Sequence, residues 1–474
     1  MENSKDHASE KLSKAGDKLA QQPILKRLGH RLQDVWPAHL MPRTVVRKLS
    51  EYARKLWVRV LAMGLLSVLA LGLTQILEPL VPDKIAESLT GQAADRLLQI
   101  IANAMLAATI FSITVMVSVY RATSQQWTPR VHRLIIQDRT TQNTIAVFIG
   151  AYVYALIAII LRELGVYTDD RSFVLFVTTV LVLAVIVIYL IRWVLHLQGF
   201  GSLIDTTRQI EEVTSQNFTD RLHNPCLGAN PLVGDIPEDA RVIKAGQSGY
   251  IQKIYPETLN AEARAHGVDI YLCENVGSFV FLNEPLAMVV SKDDPNSDGQ
   301  EYEEIDAAIE ANIVIGDVRI FDQDPRFGLI VMGEVASKAL SPGINDPGTA
   351  IDVITRIGRI LSDYTDETKT DRDDVLERLY VKPLSPADLL DDGFGALARD
   401  GETLVEVQIR LQDTLSGLRR HPDEGLSREA RNLAELGLHR ALAAMQFERD
   451  REKLRAASDP DVVAAVDEKM GQSA

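Results

Sequence analysis

Apolar and polar positions divide this chain sharply near residue 199. Four stretches before that point carry no charged side chain: Val60 to Leu77, Leu97 to Tyr120, Thr140 to Leu161 and Ser172 to Ile191, of 18, 24, 22 and 20 residues. At roughly 1.5 Å of rise per residue, each can cross a hydrocarbon core of about 30 Å. Backbone groups in lipid must satisfy one another, so the predicted form of all four is helix. One such run would also suit a buried core helix of a soluble protein. Four in succession with charged flanks point to membrane spans. The first is expected to begin near Leu56, with Trp57 at the interface and Arg59 reaching to the headgroups.

Beyond the fourth run the pattern changes. Residues 200–223 read as a helix leaving the membrane, and Pro225, Pro231 and Pro237 with Gly228 and Gly234 then break it. From Arg241 to Val290 short β-branched or alternating runs (VIKAGQSGYIQKI, GVDIYLCENVGSFV, PLAMVV) are separated by Gly and Pro, which predicts a small, tightly turned β domain. PETLNAEARAHG, between the first two runs, reads as helical. After the turn DDPNSDG at 293–299, spacing of the 3.6 type dominates to the end of the chain.

The expected fold class is therefore an α-helical membrane protein with four transmembrane helices plus a cytoplasmic α+β region, a small β barrel followed by helices. The expected segments are 1–55, a polar tail and a basic, apolar-spaced helix; 56–195, the four spans; 196–240, a helical connector and Pro/Gly linker; 241–292, the barrel; and 300–474, a helical domain. The helix within 24–55 suits the membrane surface and a packed position on the polar domain equally well.

Charge adds orientation. Residues 1–199 hold 22 Lys and Arg against 14 Asp and Glu, a net +8, whereas the remainder holds 28 against 51, a net −23. Arg43, Arg47, Lys48, Arg54, Lys55 and Arg59 precede the first span, and Arg121, Arg130, Arg133 and Arg139 lie between the second and third. The other two loops carry more acids than bases. By the positive-inside rule both termini and the acidic half are expected in the cytoplasm of a bacterium, with the spans in its inner membrane. The polar first fifty residues are too long for the basic segment of a cleaved signal, so the first span is expected to be retained. The acidic balance excludes nucleic acid as an expected partner. Two cysteines, Cys226 and Cys273, are too few for a disulfide framework and fit a reducing compartment.

Two strings resemble the bacterial membrane-protein family catalogued as a domain of unknown function, number 2254. One is FSITVMVSVYRATSQQWTPRVHRLIIQDRTTQNTIAVFIGAYVYAL, residues 111–156; the other is DPRFGLIVMGEVASKALSPGINDPGTAIDVI, residues 324–354. The resemblance covers roughly residues 45 to 450. It implies an integral inner-membrane protein with a large cytoplasmic portion, and it supplies no catalytic residues. Family members carry a plainer aliphatic pattern where this loop has Gln126 and Trp127. SGYIQKI and VGSFVFLNEPLAMVV also resemble the two halves of a lipoyl-type module, but the swinging-arm lysine is absent, which favours a structural barrel over a prosthetic-group carrier.

Three constellations are candidates for chemistry. In the second span, Asn103, Thr109, Ser112, Thr114 and Ser118 sit among apolar residues with the small Ala104, Ala107 and Ala108. Small and hydroxylated side chains serve close helix packing; copies of the same helix would instead line a polar pathway. No charged residue falls inside spans two to four, which argues against a proton-coupled transporter or voltage sensor. In SPGINDPGT, Ser341, Pro342, Gly343, Asn345 and Asp346 either form a rigid connection with Asp346 capping the next helix, or present an amide and carboxylate to a ligand. Asp317, Asp322 and Asp324 lack calcium-loop spacing, and the scattered histidines lack zinc spacing. Helix capping is the simpler role for Asp324. No catalytic site, metal or cofactor is expected. The expected partners are the bilayer, further copies of the chain in a homo-oligomer, and an ion or small solute. The leading expectation is a channel or passive transport protein with a cytoplasmic regulatory domain. The alternative is a non-conducting membrane-anchored sensor or scaffold, with an enzyme a distant third.

Overall fold

The computed structural model describes residues 91–131, 138–165, 173–199, 202–291, 299–369 and 375–472, with scattered helical positions between Trp57 and Gly72. Three helices among these are long and apolar enough to cross a membrane: Gln92–Thr123, Thr140–Glu163 and Phe173–Gly199. They lie within α1 (Gly91–Gln126), α2 (Arg139–Glu163) and α3 (Phe173–Gly199). These are the second to fourth expected spans; most of the first expected run, 60–77, and the expected helix within 24–55 lie outside the described residues.

The three spans pack on an apolar seam that includes Leu98, Ile101 and Met105 of α1, Phe148, Ala151 and Ala155 of α2, and Leu175, Ile186 and Trp193 of α3. Within the seam the Tyr154 hydroxyl lies 3.0 Å from Thr179 Oγ1, a polar contact fully buried between α2 and α3. Such bonds hold spans together where lipid offers no hydrophobic drive for association. Arg162 pairs with Asp95 at one end of the bundle. At the other end Asp138 accepts from Thr141 N at 2.7 Å, capping α2, and its carboxylate lies 3.1 Å from His196 Nε2 of α3. Burial opposes ionisation of Asp138, but the bonds from His196 and Thr141 prevail and lower its pKa.

α4 (Leu203–His223) carries the chain to a turn at Pro225–Gly228. Strands then alternate with helices: β1 (Ala229–Pro231), β2 (Arg241–Lys244), β3 (Gly249–Ile254), α5 (Pro256–Ala265), β4 (Val268–Leu272), β5 (Phe279–Val280), β6 (Pro285–Ser291), α6 (Gly299–Asn312) and β7 (Ile313–Gly316). Helices α7 (Pro325–Leu340) and α8 (Pro347–Leu361) follow, then β8 (Leu376–Val381), α9 (Pro386–Leu390), a π-helical turn over Asp391–Gly395, and α10 (Ala396–Asp400). The chain closes with α11 (Val405–Leu418), α12 (Glu424–Ala444), α13 (Glu448–Ala457) and α14 (Pro460–Gln472).

The expected small barrel is replaced by two open sheets. One has the order β1-β8-β4-β6-β2 and the other β5-β3-β7. β8 runs parallel to both β1 and β4, pairing Ile270 with Leu379 and stacking Tyr271 on Tyr380 at 4.5 Å. Parallel neighbours need a long crossover, and here the partner of Val268–Leu272 arrives more than a hundred residues later. A local reading of 241–292 therefore misses a central strand, and both β7 and β8 come from the stretch expected to be helical.

The helical lobe packs around α4, α7, α8 and α11. Gly328 of α7 lets the helix approach α4 closely: a Cβ there would sit 2.3 Å from Thr214 Oγ1. Glu211 of α4 bonds both Arg356 and Arg359 of α8. At the far end of α4, Arg221 donates to Glu367 at 2.5 and 3.1 Å, and Glu367 also accepts from Cys226 N at 2.9 Å and Leu384 N at 2.6 Å. Removing one partner of a buried ion pair strands the other charge. Glu367→Ala is expected to destabilise the fold by about 3–5 kcal/mol in chemical unfolding followed by circular dichroism. Adding Arg221→Met should recover only part of this, because two backbone N–H groups stay without an acceptor.

Candidate functional site

α1 has 36 residues and so spans about 54 Å, well beyond a hydrocarbon core. The excess is seated in protein. Trp127 and Val131, just past its end, are buried in the same apolar cluster as Phe218, Phe327 and Val353. Arg130 pairs with Glu334 of α7 and lies 5.8 Å from the Phe327 ring centroid, with Arg319 5.5 Å from the same centroid. Guanidinium groups over an aromatic ring add cation–π attraction to the apolar contact. The segment Thr128-Pro129-Arg130 thus joins the second span to the helical lobe.

The five polar residues of that span do not form one set. Ser112 is 1 % exposed and faces the bundle seam. Thr109 is half-buried and donates to Met105 O at 2.7 Å. Asn103, Thr114 and Ser118 are exposed on the opposite side, together with Ala107 and Ile110. At about 100° per residue the three fall within an arc of about 60°. Thr114 donates to Ile110 O at 2.8 Å, which lowers the cost of a hydroxyl facing lipid. The outward polar stripe is therefore built from Asn103, Thr114 and Ser118.

The second constellation is a helix-to-helix connection. Ser341 ends α7 and its Oγ donates to Lys338 O at 2.7 Å; Asn345 N donates to Ser341 O at 2.9 Å and Asp346 N to Ala339 O at 2.8 Å. Asn345 takes φ +52°, a left-handed conformation that Asn tolerates better than most residues. Asp346 caps α8, accepting from Thr349 N at 3.1 Å and from Thr349 Oγ1 at 2.6 Å. These bonds, the Thr349 hydroxyl first, hold its carboxyl below the usual Asp range. Pro342, Gly343, Ile344 and Asn345 remain exposed at the tip.

Asp324 caps α7 by accepting from Phe327 N at 3.0 Å and is also held by Arg319 at 2.6 and 3.0 Å. Asp322 lies 3.9 Å from Lys253 Nζ. Among the described residues no three His, Cys, Asp or Glu side chains gather as metal ligands. Sequence reasoning missed the seat of Trp127 and Arg130, which only the arrival of α7 beside the loop creates. Its one legible signal was a tryptophan within a charged loop.

These features define a multi-span membrane protein whose polar, helical lobe grips an extended span. Residues 53–417 match the family described as a predicted membrane protein, DUF2254, and the chain belongs to that family. It is 28% identical over 319 residues to uncharacterised proteins of Mycobacterium bovis and of two strains of Mycobacterium tuberculosis. The match covers 65% of this chain and 60% of the length of those relatives. No solved structure matches.

Asp346→Ala is expected to cost about 1 kcal/mol of stability through loss of the cap. A carboxyl with a lowered folded-state pKa stabilises above its unfolded value and loses that contribution as pH falls through the folded value. The gap between wild type and Asp346→Ala, measured by unfolding at a series of pH values, should accordingly be full at neutral pH and close in acid.

Proposed function

We propose that this protein is an oligomeric channel or passive transport protein of the bacterial inner membrane, with both termini and the polar lobe in the cytoplasm. The observation that carries this reading is the outward stripe of Asn103, Thr114 and Ser118 on α1. An amide and hydroxyls on the outside of a single bundle are costly against lipid and favourable against polar groups or water. Copies of α1 facing one another would satisfy them and enclose a polar path for an ion or small solute. Three described spans pack tightly around one seam, which leaves the space between subunits as the place for a conduit.

Coupling to the cytoplasm follows from the same helix. α1 carries the stripe, and its far end is seated through Trp127 and Arg130 against Phe327 and Glu334. A shift of α7 would be transmitted along a continuous helix to the stripe. The connection at 341–346 lies at the other end of α7 and offers the exposed tip Pro342 to Asn345 as an input. That tip also supports the second reading, a non-conducting scaffold that recruits a ligand or protein through Asn345 and Asp346. Asp346→Asn, which keeps a capping oxygen, should then weaken partner binding with the fold retained.

Conduction is tested with protein reconstituted in liposomes, recording ion flux and single-channel current alongside subunit number. Discrete conductance is expected, with Ser118→Leu reducing flux or altering selectivity while unfolding stays close to wild type. Ser112→Leu, which overfills the seam, is expected instead to cost about 1–3 kcal/mol of stability. Silent bilayers across salt, tension and pH would overturn the channel reading in favour of the scaffold.

A further inference from the structure

The π-helical turn Asp391–Gly395 has two sides with different surroundings. On the inner side its close packing explains the widened helix. A Cβ on Gly333 of α7 would lie 2.9 Å from Gly393 O, and one on Gly393 would lie 2.8 Å from Ile357 Cγ2 of α8. Phe394 is fully buried beside them. On the outer side the turn borders a cavity of about 350 Å³, whose opposite wall is α12. π turns recur at functional sites, where the extra residue reshapes one face of a helix.

The walls of this cavity are chemically uneven. Leu433 and Leu436 of α12 supply an apolar surface, and Leu436 is 52% exposed. Arg399 and Arg440 approach from the two sides. Most arginines of the polar lobe are spent on carboxylates, as Arg221, Arg319, Arg326, Arg356 and Arg419 show. Arg399 itself lies 3.1 Å from Asp400. Arg440 differs: it has neither a carboxylate nor a hydrogen-bond partner among the described residues, and unlike the exposed Arg449, which also has none, it is half-buried in a cavity wall. Of the acids in the wall, Asp392 is taken by Arg326 at 2.6 Å. Asp391 also lines the cavity, its Oδ1 lying over Gly395, where a Cβ would come within 2.3 Å of it.

An unspent guanidinium beside two leucines, in a segment of strongly negative net charge, matches one kind of ligand. We propose that the cavity between the π turn and α12 binds a small organic anion with an aliphatic body, its anionic group on Arg440 and its aliphatic part on Leu433 and Leu436. Guanidinium presents paired N–H donors suited to carboxylate or phosphate, and in a wall that is otherwise largely polar the two leucines give an aliphatic part its place beside Arg440. Arg399 adds a second positive group at the rim. Since α12 also packs on α11, occupancy would be registered in the helical lobe; the proposal itself concerns binding alone and stands apart from conduction.

The test is isothermal titration of the full chain in lipid nanodiscs with 4-methylpentanoate, using 4-methylpentan-1-ol and 4-methylpentylamine as neutral and cationic counterparts. Saturable binding of the carboxylate is expected, with the alcohol at least about tenfold weaker and the amine without saturable heat. Arg440→Gln should weaken the carboxylate about tenfold, and Arg440→Lys should restore most of the loss. Leu436→Asp, at an exposed position, places a like charge in the wall and should weaken binding to a similar extent; it serves if Arg440→Gln does not fold. Absence of saturable binding, equal binding of the amine, or unchanged affinity in folded Arg440→Gln or Leu436→Asp would overturn the proposal. None of these outcomes bears on whether the bilayer conducts.

Discussion

A single buried carboxylate organises the polar half of this molecule. Glu367 is fully enclosed, and its two oxygens take the Arg221 guanidinium and the backbone N–H groups of Cys226 and Leu384. Those groups belong to the end of α4, the turn at Pro225–Gly228 and the segment after β8, so one side chain joins the helix from the membrane to both the sheets and the helices. A charge buried this deeply is tolerable only with every oxygen engaged. The turn it fixes contains Cys226 and Leu227 at φ +51° and +57°, conformations that surrounding bonds must hold in place. Direction of the chain out of α4, and hence the placement of the β1-β8-β4 sheet, depends on that arrangement.

The second constraint is the length of α1. A helix that outruns the bilayer must place its surplus somewhere, and here the surplus ends in a socket of aromatic and cationic side chains around Phe327. Arg130 and Glu334 close the contact with an ion pair. The membrane bundle and the helical lobe therefore share a structural member in α1, with α4 supplying another through Glu211 and its arginines on α8. In the proposed function this sharing is what lets a polar lobe influence a stripe of hydroxyls within the membrane.

How much of this was legible in the sequence follows from the range of the interactions. Spans two to four could be read because a run of uncharged residues is a local property, and Asp346 as a cap because its partner is three residues away. The helices after Asp324 announced themselves by periodicity for the same reason. The sheets could not be read: Ile270 meets Leu379 only after the chain has passed through three helices, and no local pattern in 241–292 calls for LERLYV as a neighbour. Shared membership of one apolar run also grouped Ser112 with Ser118, although one is buried and the other exposed once α2 and α3 define which side of α1 is inward. Arg221 and Glu367, 146 residues apart, were invisible for want of any motif.

Through Trp127, α1 and the helical lobe form one mechanical unit. Hydrogen exchange of the protein in lipid nanodiscs, followed on peptides from the end of α1 and from α7, tests it directly. Trp127→Ala should raise exchange in both regions together, by similar factors, because the cluster around Phe327 is shared. Faster exchange confined to the end of α1, with α7 protected as in the wild type, would contradict the coupling and leave the membrane spans and the polar lobe as independent parts.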